Sequence, residues 1–208
     1  MAGTKLAEAT AEIARRDPVM AELIEGLGPP RLRSRRQPGA FAALVRAIAY
    51  QQLAGGAATA IHGRFLALFH GELTPKAVLA TPERRIRQSG MSAAKAASIR
   101  DLATKIADGT VPLARLGRMS DDEIIRRLSE VRGIGRWTAE MFLIFQLGRL
   151  DVWPVDDLGV RKGYAIAYDM AQLPTPKELE TLGDRFRPYR TVVAWYCWRA
   201  VHEARGDG

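Results

Sequence analysis

Along nearly all of this 208-residue chain, apolar side chains recur every three or four positions, and alternating β-branched runs are few. Phe41, Leu44, Val45 and Ile48 share one such face, and Ile124, Ile125 and Leu128 share another. A period near 3.6 marks helices that bury one side, whereas half-buried strands alternate with a period of two. The spacing therefore predicts an all-α protein.

Start and stop signals cut that pattern into separate helices. Thr81 with Pro82, Ser92 before an alanine-rich run, Ser120 with Glu123, and Thr175-Pro176 with Glu178 are starts, because short polar side chains accept a helix's first amides and proline already has a helical φ. Gly55-Gly56, Gly90, Gly117, Gly133 and Gly183 are stops. Helices are read at 3–16, 18–25, 38–52, 56–69, 75–80, 82–88, 92–108, 120–131, 135–146, 157–170, 176–186 and 189–205. The passages GPPRLRSRRQPG (28–39) and GRLDVWPVDD (148–157) are the expected crossings between two lobes. The organisation expected is N-terminal helices over 1–39 packing with a C-terminal lobe over 151–208, and a helical lobe over 40–150 with a hairpin near 120–146.

A net charge of +8 and a pI near 10 suit a surface that attracts polyanions, nucleic acid foremost. Cys197 is the only cysteine, which excludes an internal disulfide, a multi-cysteine zinc site and a four-cysteine iron-sulfur cluster. His62, His70 and His202 are too scattered for a metal cluster and read as ordinary helix residues. The N-terminus MAGTKLAEATAEIARRD has no apolar secretory core and no apolar run is long enough to span a bilayer. A soluble, cytoplasmic protein without a membrane partner is expected, nucleoid-associated if the source is prokaryotic.

The segment from Leu128 to Asp157 carries the chemistry. Gly133 and Gly135 flank Ile134 where one helix gives way to the next. Glycines there allow positive φ and close approach, and amides at a helix start point toward an anion such as phosphate. The plainer alternative is a simple connection with glycine as a C-cap. About twenty residues on, Asp156 and Asp157 precede another helix, where an acid also serves as N-cap, a role read for Asp156.

Five ordered blocks, FAALVRAIAYQQL (41–53), GMSAAKAASI (90–99), VRGIGRWTAEMFLIF (131–145), DVWPVDDLGVRKG (151–163) and RPYRTVVAWYCWRA (187–200), resemble the helix-hairpin-helix DNA glycosylase superfamily, in particular its 3-methyladenine DNA glycosylase branch. The resemblance runs over roughly residues 38–205. It implies two helical lobes with the active-site cleft between them, and a monomer that acts on double-stranded DNA containing alkylated bases. Asp157 is then the catalytic carboxylate, stabilising positive charge on deoxyribose and orienting or deprotonating water. A bifunctional member carries its lysine nucleophile two positions after the second hairpin glycine. Trp137 stands there, so no lyase activity is expected.

The resemblance also assigns supporting roles. Leu53 is the first choice and Gln52 the second for the side chain that fills the gap left by an extruded nucleotide. Trp137 and Trp198 line the base pocket, where an indole face favours a cationic base. Met141, one turn after Trp137, joins them in place of an aromatic usual in relatives, which leaves the lesion range open. Trp153 and Trp195 read as core. Gly133, Gly135, Arg136, Thr138 and Lys95 are expected to meet the DNA backbone, with Arg100 beside them and Arg31, Arg33, Arg35 and Arg36 as a basic loop. Backbone carbonyls of Ser129, Val131 and Ile134 would hold a monovalent cation, with no organic cofactor and no iron-sulfur cluster. The competing reading is a noncatalytic helix-hairpin-helix DNA-binding protein. A redox-cluster glycosylase conflicts with the single cysteine and with Trp137.

Overall fold

Caps set where the helices begin. The computed structural model describes residues 2–32, 39–53 and 55–206. In it Ser92 accepts the Lys95 amide, Ser120 accepts that of Glu123, and Thr175 with Glu178 closes a full capping box. Asp17 and Thr74, each before a proline, do the same for two further helices. The helices are α1 (Ala2–Arg16), α2 (Pro18–Leu27), α3 (Ala40–Tyr50), α4 (Gly55–Ala67), α5 (Pro75–Ala80), α6 (Glu83–Gln88), α7 (Ala93–Ala107), α8 (Asp121–Ser129), α9 (Arg136–Phe142), α10 (Leu158–Ala167), α11 (Pro176–Gly183) and α12 (Arg190–Ala204). Among the described residues every regular element is helical, and no helix is long and apolar enough to cross a membrane.

Three differences from the expected helices stand out. α3 stops at Tyr50 because Gln51 turns out of the helix (ψ 134°) and Gln52 takes a positive φ of 55°. A 3₁₀ segment, Leu113–Arg118, lies where no helix is expected, because i to i+3 bonding gives a short run with no 3.6 period. The helix expected over 135–146 changes character at Phe142 and ends in a π-helical turn, Leu143–Leu147.

The chain forms two compact units, one of Met1–Ser34 with Leu143–Gly208 and one of Arg35–Phe142. In the first, α1 and α2 pack on α12, and α10 crosses α12 closely. Gly163 permits that crossing, since a Cβ there would lie 1.9 Å from the Cys197 carbonyl oxygen. Ile13, Met20, Val160, Tyr164, Phe186 and Tyr196 fill the core between these helices. Buried Asp17 caps Met20, accepts the Tyr168 hydroxyl at 2.9 Å and pairs with Arg185 at 3.3 Å, which ties α2 to α10. Burial, reinforced by Asp17, pushes the Tyr168 phenol well above its ordinary range, so it remains a donor.

The stretch before Asp151 belongs with this unit, not with the hairpin-bearing one as expected. The Thr191 hydroxyl donates to the Arg149 carbonyl, the Thr191 amide donates to that of Leu150, and Phe145 stacks on Trp198. In the second unit α7 is central, touching α3, α5 and α6, with Leu44, Ile48, Ile99, Leu102, Ile124 and Leu128 buried.

Candidate functional site

The connection between α8 and α9 is built by alternating burial. Val131 and Ile134 are sealed in the core, while Arg132, Gly133, Gly135, Arg136 and Trp137 are exposed. Apolar anchors thus hold the turn and leave its glycines facing outward. Gly133 has φ 75°, and a Cβ on it would lie 2.6 Å from the Ser98 hydroxyl. Conformation and space both require glycine there. The Arg132 amide donates to Asp101 at 2.7 Å, and Lys105 pairs with the same carboxylate. Burial opposes ionisation of Asp101, but Lys105 and the Arg132 amide outweigh it and hold the carboxyl below the usual carboxylate range. The Ala139 amide donates to the Gly135 carbonyl, which opens α9, and Arg136 reaches back to buried Glu140 at 2.9 Å with about half its side chain exposed.

Two residues expected to meet a DNA backbone are engaged within the protein itself. Thr138 is buried in α9. Lys95 points its ammonium at the Ala49 and Gln51 carbonyls, 2.8 and 2.7 Å away, and is half-buried. Arg100 likewise donates to the Thr81 carbonyl at 2.8 Å. Of the basic loop, Arg31 is exposed, and Arg33, Arg35 and Arg36 lie outside the described residues.

The α3–α4 turn lies beside the hairpin in the same unit. The Gln51 side-chain amide donates to the Gly133 carbonyl at 2.8 Å. Gln52 and Leu53 are exposed, Leu53 by 37%. Of the carbonyl-bearing residues named for a cation, Ser129 ends α8, and the Val131 carbonyl accepts the Ile134 amide at 3.0 Å.

The acid pair opens α10. Asp157, the second acid, is the N-cap: its Oδ1 accepts the Val160 amide at 2.9 Å. This corrects the assignment of that role to exposed Asp156. The same oxygen accepts the Trp198 indole N–H at 3.0 Å. Asp157 is neither sealed in packing nor fully solvated. Trp198 is therefore bound edge-on to the carboxylate, with Phe145 stacked at 6.0 Å between ring centroids, and its side chain is partly exposed. Gly159 makes room, because a Cβ there would come within 2.9 Å of the indole and 3.0 Å of Asp157 Oδ1. Cys197 lies fully buried, and desolvation followed by the Asp157 charge pushes its thiol well above the ordinary range. It is a packing group, not a nucleophile.

Trp137 is 47% exposed and Met141 is partly exposed. Trp153 is core, with its indole N–H on the Leu179 carbonyl, and Trp195 meets Tyr196 edge-on. Among the described residues no group of His, Cys, Asp and Glu is arranged to hold a metal.

The model of the HhH-GPD superfamily of base excision DNA repair proteins matches residues 45–188. The chain belongs to this superfamily. Within the HhH-GPD superfamily it is 36% identical over 183 residues to DNA-3-methyladenine glycosylase 1 of Schizosaccharomyces pombe, covering 86% of this chain and 79% of that protein. The structure of that yeast's 3-methyladenine DNA glycosylase in complex with abasic DNA is similar at TM-score 0.80 and 34% identity, covering 92% of this chain and 95% of the other. A DNA-3-methyladenine glycosidase from Bacillus halodurans superposes at TM-score 0.86 and 34% identity, covering 94% and 89%.

Four residues that support the hairpin and Asp157 have no role in the sequence pattern. Gln51, Ser98, Asp101 and Gly159 act through contacts with residues distant in sequence. Gln51 alone carried a signal, as the polar residue opening the turn.

Proposed function

We propose that the protein is a monofunctional DNA glycosylase of base excision repair that hydrolyses the N-glycosidic bond of alkylated purines of the 3-methyladenine and 7-methylguanine type. The observation that carries this reading is Asp157, a partly exposed carboxylate whose Oδ1 takes two N–H donors. Two donors on one oxygen fix the rotation of the group, and a fixed charge stabilises a transition state without reorganising.

A base inside a duplex is out of reach, so the damaged nucleotide must leave the stack while Leu53 or Gln52 fills the gap. As the bond to the base lengthens, positive charge grows on deoxyribose, and Asp157 favours that state over the ground state. The carboxylate also orients or deprotonates the attacking water. A purine alkylated at N3 or N7 already carries positive charge and departs neutral. It needs no second acid to protonate it, unlike an ordinary glycoside. Trp137 and Met141 offer the base an aromatic face and a pliable neighbour. Trp137 has no amine for a Schiff base, which removes the lyase route. The exposed hairpin with Arg136 would meet phosphates, and carbonyls of Ser129, Val131 and Ile134 would hold a monovalent cation that adds positive charge there.

The test is release of 7-methylguanine and 3-methyladenine from alkylated DNA by the wild type and by Asp157→Asn, with binding to duplex containing an abasic-site analogue as the control. Release should fall by several orders of magnitude while binding persists. Undiminished release by the variant would remove this mechanism.

A further inference from the structure

We propose that Lys95 and Gln51 are positioning residues that lock the turn carrying Gln52 and Leu53 to the glycine hairpin, so that gap filling and backbone grip are delivered by one preassembled piece. The inference rests on the glycosylase reading above.

Four observations within one unit carry it. Lys95 Nζ lies 2.8 Å from the Ala49 carbonyl and 2.7 Å from that of Gln51. These carbonyls lie where α3 ends, where a helix lacks amide partners and bears partial negative charge. The ammonium serves as the C-terminal cap of α3. Second, the Gln51 side chain crosses to the hairpin and donates to the Gly133 carbonyl at 2.8 Å. The same residue is thus held by Lys95 at its main chain and bound to the hairpin by its side chain.

Third, Lys95 and Ser98 stand three positions apart on α7, which places them on one helix face. Ser98 is the residue against which Gly133 is pressed, at 2.6 Å for an added Cβ. One turn of α7 therefore supports the wedge turn with Lys95 and the hairpin with Ser98. The main chain of that turn is fixed too, because Ser92 accepts the Lys95 amide. Fourth, Gln52 holds φ 55°. Such a backbone is costly for a residue other than glycine and persists only where its neighbours over-determine it. The bonds on Gln51 supply that constraint immediately before the strained residue. Burial also lowers the Lys95 pKa, as expected for an ammonium withdrawn from solvent.

The variants are Lys95→Met, Gln51→Leu, the double variant, and Lys95→Arg as a rescue. Three quantities are read for each: the salt dependence of affinity for undamaged duplex, affinity for duplex with a tetrahydrofuran abasic analogue, and single-turnover release of 7-methylguanine. Lys95→Met is expected to leave the salt slope unchanged and to slow release about 10- to 100-fold, the scale of a small misplacement of reacting groups. Affinity for the abasic analogue should fall with it, and Lys95→Arg should restore part of both. The double variant should be no worse than the weaker single variant, since both act through one constraint. A salt slope reduced by about 0.9, the signature of one lost phosphate contact, would overturn the proposal, as would additive losses or an unchanged release rate.

Two controls keep the outcome readable. Gln51→Leu removes only the tie to Gly133, so it carries the test if Lys95→Met fails to fold. Amide hydrogen exchange needs no DNA: the amides of Leu53 and Ile134 should both exchange faster in Gln51→Leu. If the wild type releases no base, the functional reading fails, and the exchange result still decides whether the lock exists. Unchanged exchange at both amides would overturn the lock itself.

Discussion

Trp198 shows how one hydrogen bond redirects the reading of a residue. An indole matched to a base pocket is expected to offer its face, and here its N–H is in addition held by Asp157 while Phe145 lies along its ring. Trp198→Phe retains an aromatic ring and deletes the donor along with part of the ring area. A hydrogen bond to a charged group contributes roughly 1.5–3 kcal/mol, which converts to about a 10- to 100-fold fall in single-turnover release if the bond is realised fully in the transition state. Affinity for abasic-analogue DNA should hold, because the bond serves the carboxylate and not the duplex. Equal losses in binding and turnover would return Trp198 to the stacking role. Asp157 itself was legible in the sequence, since it sits in a compact block of ordered residues. Its partner was not, because 41 positions separate the two and only the crossing of α10 with α12 brings them together.

Helix starts were legible for a simple physical reason: a cap is a local event within four residues. Thr175 with Glu178 and Ser92 with the Lys95 amide needed no tertiary information. The π-helical turn Leu143–Leu147 was hidden, because its surroundings are tertiary: Phe145 stacks on Trp198 of α12 and Leu150 packs against the core of that unit. The same contrast governs Gly163, which in sequence looks like a weak spot in a helix. Alanine at a helix interior gains about 1 kcal/mol over glycine, so propensity alone expects Gly163→Ala to stabilise. Overpacking costs typically 1–3 kcal/mol, and more where backbone blocks the way, as the Cys197 carbonyl does at 1.9 Å. Packing therefore wins, and the urea midpoint should fall with little change in the m-value. A raised midpoint would show that α10 and α12 are not pressed together. The hairpin carries its own pH dependence through Asp101. Its carboxyl is held below the usual range, so its contribution is complete above the ordinary carboxylate values and is lost as pH falls through the depressed one. Protection of the Arg132 amide, its exchange measured against the intrinsic rate at the same pH, should be lost only under that acid condition in the wild type. Asp101→Asn should accelerate it at neutral pH.

At the scale of the whole molecule the charge of +8 made a polyanion the expected partner, but net charge says nothing about where an anion is held. Many of the cations already have local partners: Arg15 and Arg16 share Glu12, Arg190 and Arg187 share Asp151, and Lys95 and Arg100 face carbonyls. Arg15 and Arg16 hold the partly exposed Glu12 carboxyl down at about 2, so this cluster stays ionised at any pH at which the protein would work. The grip on DNA should then depend on a few residues at the hairpin and not on the overall excess of basic side chains. Each cation that meets a phosphate adds about 0.9 to the slope of log affinity against log salt, so Arg132→Ala with Arg136→Ala should flatten that slope by about 1.8. Glu12→Gln, which raises net charge by one unit far along the chain from the hairpin, should leave it unchanged. A slope that follows net charge in both variants would mean that the duplex is held by a diffuse basic surface, and that the exposed turn between Val131 and Arg136 is an ordinary connection between two helices.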